Sequence, residues 1–180
     1  MFKSCLIAGA LAGVLAAGAF AAEIAPPRLG RPATPDEITK ADISIPPGGK
    51  GLPAGSGSVT QGAEVFAAKC SVCHGAKAEG TPSGDRLIGG VGTLASANPV
   101  KTVSSYWPYA TTLFDYIRRA MPVTNPQSLQ NEEVYAVVAY LLSLDNIVPQ
   151  DAVLDAQSLP RVQMPNRSGF INWEPRLVRP

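Results

Sequence analysis

The apolar positions of this chain recur at helical spacing in three places and alternate nowhere. The strongest run covers 131–144, where Val134, Val137, Val138, Leu141 and Leu142 follow the i, i+3, i+4, i+7, i+8 template of an amphipathic helix. Asn146, just beyond it, tolerates the left-handed backbone of a helix stop. A second helix is predicted over 111–120, with Leu113, Phe114 and Ile117 on one face and a stop before Pro122. A third opens at Ser58, which forms a capping-box pair with Gln61, and runs through Phe66 to the cysteines. Its apolar stripe reads Val59, Ala63, Phe66, Ala67 and Cys70. Between 75 and 104 glycine recurs without a period, which predicts loops. With no period-2 pattern and no internal repeat, the pattern predicts an all-α fold.

Both flanks break this pattern. Residues 23–57 carry Pro26, Pro27, Pro32, Pro35, Pro46, Pro47 and Pro53, with glycines clustered at 48–57, a composition that disfavours a sheet or a long helix. Thr34-Pro35-Asp36-Glu37 has the N-cap, first-turn proline and capping-box glutamate of one short helix; a disordered linker is the competing reading. Residues 148–180, with Pro149, Pro160, Pro165, Pro175 and Pro180, read as a mostly extended tail with one short helical turn near 151–157. The expected division is a signal peptide at 1–22, a Pro/Gly-rich extension at 23–57, a domain at 58–147 and a tail at 148–180.

The first 22 residues place Lys3 ahead of an uncharged run from Cys5 to Ala22, and Ala19-Phe20-Ala21 supplies an A-x-A cleavage site. The run is short for a membrane span and rich in Ala and Gly, so cleavage is favoured over retention as an anchor. No twin-arginine element precedes it, which implies export unfolded and a periplasmic product. Cleavage removes Lys3 and Cys5, leaving 14 basic and 14 acidic residues in a chain that holds 15 Lys+Arg and 14 Asp+Glu in all. That balance excludes a basic nucleic-acid binder, and no membrane association is expected after cleavage.

The mature chain keeps two of the three cysteines, in Cys70-Ser71-Val72-Cys73-His74, a C-x-x-C-H haem-attachment sequence. On a helical turn, residues three apart share a side, so both sulfurs reach the vinyl groups of one porphyrin. His74, four beyond Cys70, shares that side and can put a ring nitrogen on the iron. A thioredoxin-like site would want a βαβ setting that the pattern lacks. A zinc site would have only two thiolates and one imidazole. A plain disulfide leaves His74 without a purpose. His74 is the sole histidine, so a second imidazole ligand is impossible within this chain. The candidates for the sixth position are the thioethers of Met121 and Met164, and an open iron is the third option. Met121 follows a helix and precedes Pro122, whereas Met164 lies some twenty residues beyond the last helix; position favours Met121.

On these residues, 58–147 resembles the class I c-type cytochromes. Gly62 and Phe66 stand eight and four residues before Cys70, as in the first helix of that family, with Tyr140 and Val137 of the last helix as their expected partners. Met121-Pro122 sits where the family places its axial methionine. The resemblance implies a class I cytochrome c fold, three or more helices around one covalently attached haem c. One motif departs: the family often has a proline two residues before a leucine after the haem histidine, and its carbonyl orients the imidazole. Here the run is Asp85-Arg86-Leu87, and the Asp85 carbonyl is the candidate acceptor. At the last helix, Asn131 is the expected cap.

The stretches 30–38, 51–58, 105–110 and 159–170 further resemble cytochrome subunits of bacterial sulfite and sulfane dehydrogenases. That resemblance implies an electron carrier, with a molybdenum dehydrogenase as donor and a terminal oxidase or second cytochrome as acceptor. An enzyme or gas-binding protein with an open sixth position is the alternative. Tyr106, Trp107 and Tyr109 are either partners for the haem propionates or part of an aromatic core, Arg86 is a propionate partner or a solvated surface charge, and Arg118-Arg119 is either a solvated pair or a docking contact beside Met121.

Overall fold

The structure, a computed structural model, describes residues 29–171. The signal peptide expected at 1–22 lies outside them. In chain order the elements are helix α1 (Pro35–Ala41), strand β1 (Ser56–Ser58), helices α2 (Val59–Lys69), α3 (Ser71–His74), α4 (Val103–Tyr106), α5 (Ala110–Ala120) and α6 (Asn131–Leu144), strand β2 (Val153–Asp155), and a 3-10 turn at Leu159–Arg161.

Helix α6 is the axis of the core. Val134, Val137, Val138, Leu141 and Leu142 are buried as the period predicts, but so are Tyr135, Ala136 and Ala139. A helix apolar nearly all round is one with neighbours on several sides; here α2, α5 and the two strands all pack on it. On the α5 side, Phe114 and Tyr135 set their rings 4.5 Å apart. On the α2 side the backbones meet closely. A Cβ on Gly62 would run into the Ala136 carbonyl and lie 2.7 Å from Cβ of Tyr140, so only glycine fits. Phe66, one turn on, rests against Tyr140 with ring centroids 5.3 Å apart.

The buried face of α2 is therefore Val59, Gly62 and Phe66, with Ala67 exposed, a correction to the predicted stripe. Its cause is that hydrophobicity gives no weight to a glycine whose missing side chain is what the partner helix needs. The Ser58–Gln61 and Thr34–Glu37 capping boxes both form, which resolves the 34–41 region in favour of the helix. Asn146 adopts φ 56°, the left-handed stop. At the start of α6 the cap is Gln130 rather than Asn131: Glu133 reaches back to accept from the Gln130 N–H at 2.9 Å, and Asn131 is the first helical residue.

The flanks differ most from expectation. Ser56–Ser58 pairs antiparallel with Val153–Asp155, Gly57 opposite Leu154, so a strand forms where the composition disfavoured one. Three residues are too few for alternation to register. The helical turn expected near 151–157 is replaced by β2, with the 3-10 turn following it. Both flanks also join the core. Ile45 is buried, and its N–H donates to Asp115 at 2.9 Å. The Pro47 carbonyl accepts from Thr111, and the Pro53 carbonyl from the Tyr135 hydroxyl at 2.9 Å. Val148, Leu154, Leu159, Val162 and Met164 are buried from the other end. Core packing thus extends beyond 58–147 on both sides. The fold class remains that of the helices. Among the described residues, no helix is long and apolar enough to cross a membrane.

Candidate functional site

Helix α2 ends where Cys70 N–H donates to the Phe66 carbonyl, and Cys70 begins the single turn of α3. That turn brings Cys70, Cys73 and His74 to the lining of one cavity of about 650 Å³. Gly75, at φ 81°, stops the turn and sends the chain into the loop that follows. The loop is held against the turn from behind. Gly80 N–H donates to the His74 carbonyl at 2.7 Å, the Thr81 hydroxyl donates to the Cys73 carbonyl, and Leu87 N–H donates to the Ala78 carbonyl. Gly84 approaches so closely that a Cβ there would lie 2.7 Å from the Cys73 carbonyl oxygen.

This loop presents the Asp85 carbonyl 2.7 Å from Nδ1 of His74. A carbonyl only accepts, so Nδ1 carries the proton and donates it, leaving the Nε2 lone pair for a metal. The missing proline is no obstacle, because any residue supplies a backbone carbonyl. Leu87 joins the same wall.

The remaining wall is mostly apolar. Phe66, Leu113, Ile117, Leu129, Val137 and Leu141 line it from α2, α5, α6 and the segment between them. Met121 enters from the end of α5 in an extended conformation, φ −117° and ψ 145°, followed by Pro122 on the same lining. Met164, the competing thioether, is buried in the core and does not reach the cavity.

Cys70 and Cys73 are not bonded to each other, which leaves both sulfurs for a cofactor. Among the described residues, no three His, Cys, Asp or Glu side chains converge in a manner suited to a simple metal ion. A volume within the roughly 300–1,000 Å³ of cofactor sites, apolar walls, two cysteine sulfurs not joined to each other, an imidazole with Nε2 available and a methionine thioether fit an iron porphyrin held by thioether bonds.

Of the polar candidates, Arg86, Tyr106 and Trp107 line the cavity and Tyr109 does not. Arg167 instead lies over the Tyr109 ring, 5.2 Å from its centroid. The Arg118-Arg119 pair is engaged rather than free: Arg119 forms an ion pair with Asp115, and Arg118 donates to the Ile43 carbonyl. Lys101, on the lining with its Nζ 5.2 Å from the Tyr106 centroid, carries no signal in the sequence, nor do Asn166 and Phe170, which touch Tyr106 from outside the lining. Nothing in periodicity or motif marks them, since they meet only through folding.

A helical fold around an apolar cavity closed by a C-x-x-C-H turn defines a haem-bearing electron-transfer protein. The model of the family described as Cytochrome c matches residues 59–145. Among solved structures, a chain from the crystal structure of the sulfane dehydrogenase SoxCD from Paracoccus pantotrophus is 40% identical, with a TM-score of 0.74; the match covers 85% of this chain and 79% of that one. No curated protein matches. The chain belongs to the cytochrome c family; it has the class I fold, its cofactor is covalently bound haem c, and its work is electron transfer.

Proposed function

We propose that this cytochrome is a periplasmic one-electron carrier, or the cytochrome subunit of an oxidoreductase, that takes electrons from a molybdenum dehydrogenase of the sulfite or sulfane type. Cys70 and Cys73 carry the thioether bonds, and His74 and Met121 are the axial ligands. The observation that carries this reading is the meeting of the C-x-x-C-H turn and Met121 on one apolar cavity from which Met164 is absent. When bound, the haem iron supplies a reversible one-electron change. The Asp85 carbonyl fixes the tautomer and tilt of His74. The apolar wall excludes water and, with a methionine sulfur as ligand, favours the reduced state and raises the potential.

Val72, 82% exposed between the two cysteines, and Val123, 68% exposed beyond Met121, line the mouth of the cavity and give a partner access to its edge. The donor is argued from the 40% identity to a sulfane dehydrogenase chain and from the resemblance of the flanking stretches. A two-electron sulfur substrate then requires two successive transfers, and a terminal oxidase or second cytochrome takes the electron onward. The periplasmic location rests on the export signal at 1–22.

Anaerobic stopped-flow mixing of the oxidised holoprotein with a sulfite- or sulfane-type dehydrogenase and its substrate tests this. Two equivalents of cytochrome reduced for each two-electron oxidation of the substrate is the expected result. Reduction no faster than by substrate alone would remove the assigned donor.

A further inference from the structure

The cavity wall at Lys101 and Tyr106 is not held by the cytochrome helices alone. Tyr106 closes α4, a helix of one turn whose start is fixed by the Thr102–Ser105 capping box. From the other end of the chain, Asn166 donates to the Tyr106 carbonyl at 2.6 Å. Phe170 meets the Tyr106 ring edge-on, centroids 5.2 Å apart. Lys101 Nζ lies 5.2 Å from the centroid of the same ring. Met164, 3% exposed, anchors this segment in the core two residues before Asn166. All of these tail contacts come from beyond residue 145, where the match to the family model ends.

The wall so held carries charge. Lys69, Asp85, Arg86 and Lys101 are the ionisable lysine, arginine and carboxylate residues on the lining, and Lys69 is already paired with Glu133 at 2.6 Å. Lys101 and Arg86 form no ion pair among the described residues. A haem carries its propionate carboxylates on one edge, and two solvent-exposed cations without acidic partners at the border of a largely apolar lining are the complement to that edge.

We infer that residues 164–170 are a strap that clamps Tyr106, and through it Lys101, against the carboxylate edge of the haem, so that Asn166 and Phe170 are positioning residues that set the reduction potential. This rests on the haem reading above. A cation held at the carboxylate edge stabilises the less positive, reduced state, and a wall held in place limits the water that would stabilise the oxidised one. Loosening the strap weakens both effects in the same direction.

The test is an equilibrium redox titration of purified holoproteins. Asn166→Ala, Phe170→Ala and Lys101→Met each lower the midpoint potential with the haem still attached, while Lys101→Arg retains it. The Asn166→Ala/Lys101→Met pair falls short of the sum of its singles, because both act through Tyr106. Ile38→Ser, on the exposed helix α1, leaves the potential unchanged. If Asn166→Ala does not fold, Asn166→Asp keeps the volume and removes the donor. Unchanged potentials in the three strap and wall variants overturn the inference. A colourless wild-type protein overturns the haem reading instead.

Discussion

Asp85 illustrates how a site departs from a sequence pattern without losing its chemistry. The proline usual near that position contributes a carbonyl, and the Asp85 backbone contributes the same group at 2.7 Å from His74. The sequence singles out Cys70, Cys73 and His74 because the C-x-x-C-H spacing is local and His74 is the sole histidine, and it favours Met121 over Met164 by position alone. Lys101, Asn166 and Phe170 carry no such signal: Asn166 and Phe170 reach Tyr106 only when residues sixty or more apart are brought together, and an ordinary lysine five residues from Tyr106 belongs to no motif. Tyr135 is another such residue, fully buried with its hydroxyl on the Pro53 carbonyl. Burial pushes its ionisation from 10.0 up to about 12. The unfolded chain therefore loses this proton first, and the stabilisation present below pH 10 is lost as the pH rises towards 12. Denaturant unfolding across that window will show the fall. Tyr135→Phe removes this component of it, at a cost of about 1 kcal/mol at neutral pH from the unpaired carbonyl.

Among the elements, α5 and α6 matched their predicted spans to within a residue because each is long and periodic. The two strands and the 3-10 turn were invisible because each has only three residues, and the strands pair with each other from far apart in sequence. The α2–α6 contact depends on an absence, the side chain that Gly62 lacks. Gly62→Ala should cost about 2 kcal/mol or more, since the new methyl meets backbone that cannot yield. Unfolding by denaturant, with Ala63→Ser as a control nearby, measures it. Leu159, wholly buried in a segment that reads from composition as a loose tail, gives a second test. Leu159→Ala should lose about 2–5 kcal/mol as an ordinary core truncation does. A loss under about 0.5 kcal/mol, the range of surface changes, would show that the tail contributes no core.

For the molecule as a whole, the near-balance of charge and the apolar mouth of the cavity point the same way. Val72 and Val123 flank the mouth, and the nearby Lys69 is neutralised by Glu133. Encounter with a redox partner there gains little from long-range attraction, so its rate should change only a few-fold between low salt and about 0.5 M, where steered pairs fall steeply. Stopped-flow rates over that range check this, and a steep fall would place docking at a charged surface elsewhere. The most direct measurement of the central claim is the near-infrared spectrum of the oxidised holoprotein, where a methionine sulfur bound to ferric haem gives its charge-transfer band. The band is expected in the wild type and in Met164→Ala, and its loss in Met121→Ala. A band that survives Met121→Ala, or vanishes with Met164→Ala, contradicts it.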